Sequence, residues 1–224
     1  MNFFRTPFFL PQIYPSLIWR VATDQPVIYL TFDDGPVPGP TEFVVDELNR
    51  YQAKATFFCI GDNIQKHPEV FNKIIKSGHL VGNHTFNHLK GWSTPLEKYL
   101  QNVELCEGVI NRQLADDREL QSSLVGKRYF RPPYGRITFK QIKALKDNHQ
   151  IVMWDVLTHD YSKNISRSSC LAGSIKAARP GSIVVFHDSL KANRNLTYVL
   201  PKFLEHFSKL GFQFKSLPLL NRES

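Results

Sequence analysis

The sequence predicts an α/β fold, a barrel-like domain built on about seven parallel strands. Short apolar runs alternate with longer segments of helical periodicity from Val27 to the end of the chain, which is the pattern of repeated βα units. Several runs contain no alternating polar residues, and 183–186 is the clearest of them. Such runs are typical of strands that a parallel sheet buries on both faces. Seven units in about 200 residues favour a barrel over a shorter open sheet.

The predicted strands and helices follow this alternation. Strands are predicted at 27–32, 55–60, 79–83, 128–131, 149–155, 182–187 and 212–215, and helices at 40–51, 63–76, 94–115, 138–147, 166–178 and 194–209. Two helices begin with capping boxes, Thr94 with Glu97 and Thr138 with Gln141, in which each side chain binds an unpaired backbone N–H of the first turn. The polar stretch 116–127 is predicted to be a surface loop.

Residues 1–24 are predicted to form an N-terminal arm, and residues 25–224 a single domain. The longest uncharged stretch of the arm, residues 6–19, contains three prolines. It is shorter than the roughly 20 apolar residues of a spanning helix and resembles no cleavable signal peptide. The arm is therefore expected to cover an open end of the domain, with an aromatic membrane-surface anchor as the alternative. A cytoplasmic or membrane-peripheral location follows from this interpretation.

Composition restricts the function classes. The formal net charge is +8 and the pI about 9.4, which favours anionic partners. The basic residues are scattered and no nucleic-acid recognition motif is present, so no nucleic-acid partner is predicted. The three cysteines are far apart, which excludes a readable disulfide framework or thiolate zinc cluster.

Two adjacent carboxylates, Asp33 and Asp34, end the first predicted strand, and Gly35 allows a sharp turn after them. Barrel-like α/β folds build their chemistry at the carboxyl ends of strands. Because successive strand side chains point in opposite directions, one aspartate can face a metal ion and the other a water molecule.

His84 and His88 follow the third predicted strand with a spacing of four. On a helical turn, this spacing puts two imidazoles on one face, where both reach a single ion. Two histidines and an aspartate leave an open coordination position, which is typical of a catalytic metal site.

Two further segments carry candidate catalytic groups. Arg131 precedes two prolines, and the next free amides, those of Tyr134 and Gly135, are candidates to face an oxyanion. Arg131 itself is suited to pair with a carboxylate. His187 ends the most apolar strand, where it is a candidate general acid or base.

Taken together, five segments resemble the polysaccharide deacetylase family, the carbohydrate esterases that share the domain of nodulation chitooligosaccharide deacetylases. The matching segments are TFDDGP (31–36), ATFF (55–58) with Gly61, GHLVGNHTFNH (78–88), FRPPYG (130–135) and GSIVVFHD (181–188). They occur in the family's order along most of the chain. The resemblance implies a distorted, incomplete (β/α) barrel.

The resemblance also implies a role for each matching residue. The implied catalytic base is Asp33, the metal ligands are Asp34, His84 and His88, the residue that orients the base is Arg131, the oxyanion amide belongs to Tyr134, and the general acid is His187. The metal site of the family is commonly occupied by zinc, and an Asp-His-His set also accepts cobalt, nickel or manganese.

One family motif, Asp-x-x-Asp-Trp, is altered. Leu157 stands at its first aspartate and Tyr161 at its tryptophan. The resemblance implies that this first aspartate supports the histidine acid. Asp155 lies two residues earlier and should face the same side of a strand, so we hypothesise that Asp155 supports His187.

The implied activity is metal-dependent removal of N-acetyl groups from a glycan, with release of acetate. Peptidoglycan, chitooligosaccharides and other envelope polysaccharides are the candidate substrates, and the positive charge favours contact with anionic envelope polymers or a membrane surface. An amidase of the same superfamily that acts on a small non-carbohydrate amide is one alternative. A catalytically silent glycan-binding domain is another, and no oligomeric state is predicted.

Overall fold

The computed structural model describes residues 3–115 and 128–218. Its strands are β1 Val27–Asp33, β2 Thr56–Cys59, β3 Leu80–Asn83, β4 Arg128–Phe130, β5 His149–Ile151, β6 Val156–Leu157, β7 Ile183–His187 and β8 Gln213–Lys215. Its helices are α1 Leu10–Ile13, α2 Pro40–Arg50, α3 Gly61–Lys66, α4 Pro68–Lys76, α5 Leu96–Leu114, α6 Phe139–Leu145, α7 Arg167–Ala177 and α8 Asn193–Lys209. Within these ranges, no helix is both long and apolar enough to cross a membrane.

The strands form one curled sheet in which the neighbours follow the order β5-β4-β3-β2-β1-β7-β6, and β8 pairs with the first half of β1. Every strand pairing in the described ranges is parallel. No ladder joins β5 to β6 there, so the barrel is open between these two strands. The predicted incomplete (β/α) barrel is confirmed.

The core fixes the strands that position the site. All seven residues of β1 are buried. Phe32 stacks between Phe57 and Phe186 on the neighbouring strands, with ring centroids 5.1 and 5.8 Å away. Apolar faces of α2 and α8 pack on this side of the sheet in the same cluster. Packing in the core therefore fixes the positions of the carboxyl ends of β1, β2 and β7.

The observed elements differ from the predicted ones at three places. The predicted strand 149–155 ends at Ile151, and β6 begins after a break. The predicted helix 63–76 is two helices, because Pro68 begins α4. The prediction of a capping box at Thr94 was wrong. The Thr94 hydroxyl donates to the Lys90 carbonyl oxygen at 2.8 Å and caps no helix.

The second capping box, by contrast, is confirmed, since the Thr138 hydroxyl accepts from the Gln141 N–H at 3.3 Å. The predicted loop 116–127 lies outside the described residues.

Residues 3–24 lie across the opening between β5 and β6. Arg5 forms an antiparallel bridge with Val156, and Ile18 a parallel bridge with Val152. The Thr6 N–H also donates to the Asp155 carbonyl oxygen at 2.8 Å. These residues thus supply main-chain partners at the gap between β5 and β6.

Candidate active site

A cavity of about 660 Å³ opens at the carboxyl ends of the central strands. Six of the residues predicted to carry chemistry line it: Asp33, Asp34, His84, His88, Tyr134 and His187. Arg131 lies beneath its floor, fully buried. Asp155 does not line this cavity.

Asp33 is the last residue of β1, and Arg131 holds its carboxylate. Arg131 Nη1 donates to Asp33 Oδ1 at 2.7 Å and to the hydroxyl of Thr31 at 2.7 Å. The guanidinium carbon lies 4.1 Å from the centre of the Phe58 ring, and Nη2 donates to the Met153 carbonyl oxygen at 2.8 Å. Because Arg131 is fully buried and fixed on several sides, it can hold the Asp33 carboxylate in one orientation.

Asp34, His84 and His88 meet in the cavity with candidate ligand atoms within 4.8 Å of one another. Nε2 of His88 lies 3.1 Å from Asp34 Oδ1, and Nε2 of His84 lies 3.7 Å from it. Nδ1 of His84 is 2.7 Å from the Arg131 carbonyl oxygen. If Nδ1 donates this hydrogen bond, the lone pair of Nε2 faces Asp34, as a metal ligand requires.

The charge states of two of these groups also fit a divalent ion. Burial lowers the pKa of His84 to about 4, so its imidazole is neutral at pH 7. Burial raises the pKa of Asp34, but the hydrogen bond from His88 and the charge of His187 outweigh it, and the pKa is lowered overall. An ionised carboxylate and a neutral imidazole are the forms that bind metals.

The two histidines do not lie on a helical turn, and this part of the prediction was wrong. The backbone between them is irregular, with positive φ at Thr85 (62°) and His88 (55°). The side chain of Asn83 accepts the Thr85 N–H at 2.8 Å, and that of Asn102 accepts the next two N–H groups. Buried amides therefore hold a loop that brings both imidazoles to one point.

The turn after the two aspartates is fixed by Asp188, a residue that sequence reasoning did not single out. Its carboxylate accepts the Gly35 N–H at 3.1 Å and the Thr41 hydroxyl at 2.6 Å. A Cβ on Gly35 would lie 1.9 Å from Asp188 Oδ2. Glycine is therefore required for the contact that places Asp34 at the cavity.

His187 is supported by Asp160. Nδ1 of His187 lies 2.8 Å from Asp160 Oδ1, and the His187 N–H donates to Oδ2 at 2.8 Å. Burial lowers the pKa of His187, but Asp160, followed by Asp34 and Asp33, outweighs it and raises the pKa to about 9. The imidazole is therefore cationic at neutral pH and can donate a proton from Nε2.

The hypothesis that Asp155 supports His187 was wrong. The Asp155 carboxylate accepts from the Ser182 hydroxyl at 2.6 Å and from Arg179 at 3.3 Å. Because Val156 pairs with Val184, Asp155 is level with residue 183. It lies four residues from His187, or roughly 13 Å along a strand. Alternation along a strand indicates which face of the sheet a side chain is on, but not how far along the strand it lies. Of the two aspartates, Asp160, the second aspartate of the altered motif, is the one that reaches the carboxyl end of β7.

Tyr134 lies in a 3₁₀ turn, Pro133–Gly135, in the left-handed region with φ 60°. The Gly135 N–H, the other candidate for an oxyanion, already donates to the Pro132 carbonyl oxygen at 3.0 Å. Among the described residues the Tyr134 N–H has no hydrogen-bond acceptor. The Tyr134 ring packs on His88, with centroids 4.6 Å apart, so Tyr134 lies beside the metal-ligand cluster.

Comparisons with known proteins identify the family of this chain. The family model described as polysaccharide deacetylase matches residues 20–150. A peptidoglycan-N-acetylglucosamine deacetylase of Bacillus cereus is 33% identical over 207 residues, covering 91% of this chain and 92% of the relative. A chitooligosaccharide deacetylase of a Bradyrhizobium strain is 31% identical over 213 residues, covering 87% of this chain and 90% of the relative.

A solved structure extends the likeness to the whole fold. A crystal structure of a peptidoglycan N-acetylglucosamine deacetylase superposes with a TM-score of 0.82 at 29% identity, covering 98% of both chains. Sequence and fold therefore agree, and the chain belongs to the polysaccharide deacetylase family.

Proposed function

We propose that this protein is a metal-dependent N-deacetylase of an acetylated glycan and releases acetate. One observation carries the proposal: a held carboxylate, a candidate metal triad, a cationic histidine and Tyr134 all line a single cavity. Amide hydrolysis needs each of these, namely a base, an electrophile, an acid for the leaving amine and an oxyanion donor. The named relatives support an N-acetylated glycan as the substrate class.

Asp34, His84 and His88 would hold the ion, and zinc is the ion that we propose. When bound, a divalent ion supplies Lewis-acid chemistry, which makes a water molecule acidic and polarises an acyl carbonyl group. Asp33 can take a proton from the attacking water as the water oxygen bonds to the acyl carbon, because Arg131 holds its carboxylate in place at the cavity.

The other two groups act on the acyl oxygen and on the leaving nitrogen. The Tyr134 N–H is rigidly held and stabilises negative charge that develops on the acyl oxygen. His187 enters the reaction as a cation, because Asp160 stabilises its charge, and it gives its proton to the departing nitrogen. The C–N bond breaks, and the products are acetate and a free amino sugar.

The proposal is tested by measuring acetate release from peptidoglycan, chitooligosaccharides and an O-acetylated xylan, with and without a chelator. We expect release from at least one N-acetylated glycan, loss of release with the chelator, and recovery on adding zinc. Glycan binding without release by the zinc-loaded protein would support a silent binding domain instead.

The metal site has a separate test that does not depend on activity. Calorimetric titration of the metal-free protein with zinc should give one site, and His84→Ala should weaken that site by about 100-fold or more. His206→Ala is the matched control, since His206 lies on α8 outside the cavity. Equal zinc affinity in the two variants would contradict the assignment of the ligands.

A further inference from the structure

A second cavity of about 470 Å³ adjoins the catalytic cavity, and we call it the apolar chamber. The two cavities share Gly135 and Trp154 in their walls. One wall of the chamber comes from residues 3–19 and the other from the segments around Trp92 and Ile137. A molecule that occupied both cavities would therefore pass Gly135 and Trp154.

The lining of the chamber is hydrocarbon and aromatic. It includes Leu10, Ile13, Leu17, Trp92, Ile137 and Met153. Ile13 and Trp92 are also 51% and 62% exposed, so the chamber opens to solvent and can admit a chain longer than itself. The chamber lies within the range of about 300–1,000 Å³ that is usual for small-molecule pockets.

Four polar groups in the lining already have protein partners. The Thr6 hydroxyl donates to a backbone carbonyl oxygen at 2.7 Å, and the indole N–H groups of Trp19 and Trp92 each donate to one at 3.1 Å. The Arg5 guanidinium likewise donates to a backbone carbonyl oxygen. A sugar ring buried here would leave its hydroxyl groups without partners, which is costly. A hydrocarbon chain loses nothing and gains from leaving water.

A cation stands at the junction of the two cavities. Arg136 lines the catalytic cavity, and its neighbours Gly135 and Ile137 line the chamber. Its guanidinium carbon lies 5.0 Å from the centre of the Trp92 ring. No carboxylate pairs with Arg136 in residues 3–115 and 128–218. An anionic group between a bound sugar and a chain in the chamber would meet this guanidinium.

We propose that the chamber binds the hydrocarbon chain of an anionic glycolipid, in which a phosphodiester joins an N-acetylated sugar to the chain, and that Arg136 binds the phosphodiester. This inference rests on the proposed function for the reacting end of the substrate. It adds anionic glycolipids to the proposed substrates, and a deacetylase that acts only on polysaccharides would show no preference for them.

The kinetic test compares four synthetic substrates below their critical micelle concentrations. They are the methyl and decyl phosphodiesters of N-acetylglucosamine 1-phosphate and the neutral methyl and decyl glycosides of N-acetylglucosamine. We expect kcat/KM for the decyl phosphodiester to exceed that for the methyl phosphodiester by about tenfold or more. Arg136→Gln should lower the preference for the phosphodiester over the glycoside of equal chain length.

Two variants on α1 form a matched pair. Ile13→Glu places a charge in the chamber wall, and the ratio of decyl to methyl kcat/KM should fall toward one. Gln12→Glu adds the same charge on the neighbouring residue, which is exposed and outside the chamber, and should keep the wild-type ratio. Both substituted residues are exposed, so both variants should fold.

A binding test requires no turnover. All three tryptophans of the chain, Trp19, Trp92 and Trp154, line the chamber, so their fluorescence reports its occupation. Decyl phosphate added to the metal-free protein should change the emission saturably in wild type and in Gln12→Glu, but much less in Ile13→Glu. Methyl phosphate should have no effect.

The outcomes separate the two proposals. Equal kcat/KM for the decyl and methyl substrates, in a protein that releases acetate from glycans, would overturn the glycolipid inference and leave the deacetylase proposal standing. If no acetylated sugar is hydrolysed, the deacetylase proposal fails. The fluorescence titration then decides whether the chamber binds hydrocarbon chains, and an unsaturable or absent change overturns that too.

Discussion

Asp155 and Asp160 lie five residues apart and serve opposite ends of the same sheet. Both are almost completely buried, at 5% and 1% exposure, and both have a charged or ionisable partner. Asp155 is level with the amino end of β7, where it binds Arg179, whereas Asp160 reaches His187 at the carboxyl end. The two residues share their type and their burial, and they differ in their position along the strands. This position therefore decides whether a buried aspartate stabilises the fold or can take part in the reaction.

The largest effect is expected for Asp33→Asn at the carboxyl end. Asparagine cannot take a proton from water, so acetate release should fall by about 10³-fold or more. Zinc affinity should change little, because Asp34, His84 and His88 remain. Steady-state kinetics and zinc titration on the same preparation check both expectations.

Folding of the Asp33→Asn variant needs its own measurement, since the substitution leaves the buried Arg131 without its counter-ion. Loss of one partner of a buried pair costs about 3–5 kcal/mol, although Arg131 keeps its other acceptors. Circular dichroism should therefore show a folded protein of lower Tm. A folded, zinc-loaded variant that retains most of its activity would contradict the role of Asp33 as base.

The next largest effect is expected for Asp160→Asn. Asp160 is the main cause that raises the pKa of His187 to about 9, and the proposed acid works only when protonated. In wild type, activity should fall as the pH rises through the pKa of His187. The variant should lose about 100-fold in kcat, and its alkaline limb should move to lower pH. A pH profile of kcat/KM for both proteins measures the shift.

The ion pair between Asp160 and His187 should also contribute to the stability of the metal-free protein. The pKa of His187 is higher in the folded state, about 9, than its ordinary value of 6.5. Its contribution to the free energy of unfolding is therefore full below pH 6.5 and is lost as the pH rises through 9. Chemical denaturation at pH 6 and pH 9.5 should show a smaller loss in Asp160→Asn than in wild type. An equal loss would mean that Asp160 does not set this pKa.

An intermediate effect is expected for Asp188→Ala. This change removes the acceptor of the Gly35 N–H and the Thr41 hydroxyl, so the turn that places Asp34 should loosen. Zinc affinity should fall by about tenfold, in the range seen when residues that orient metal ligands are removed. Asp188→Asn is the control, because its amide oxygen can still accept from Gly35. Equal zinc affinity in wild type and Asp188→Ala would show that Asp188 does not position the ligand.

The same distinction between ends of strands explains what the sequence could predict. Asp33 and Asp34 directly end an unbroken apolar run, so their level on the sheet follows from the run itself. Arg131 and His187 likewise end predicted strands. The other catalytic and metal-binding roles were predicted from the resemblance of five motifs to the family. A family motif implies which residues meet in the folded protein, and residue spacing alone does not.

The contact of Asp160 with His187 could not be predicted from the strand pattern, because no long regular strand leads to Asp160. The predicted strand 149–155 breaks at Ile151, where Ile18 from residues 3–24 forms a bridge to Val152. The alternation that pointed to Asp155 counted back two residues from Leu157, and this count says nothing about how far along β7 the residue lies. Register between chain segments depends on such long-range pairings, which the local pattern of apolar residues does not contain.

The smallest effect on turnover is expected for Asp155→Asn at the amino end. The substitution weakens the contacts with Ser182 and Arg179, so the free energy of unfolding should fall by about 1–3 kcal/mol. The kcat and its pH profile should match those of wild type, because β6 and half of β7 separate Asp155 from His187. A shift of the alkaline limb like that of Asp160→Asn would restore the original hypothesis for Asp155. Parallel denaturation curves and pH profiles of the two variants therefore test whether position along the strand divides their roles.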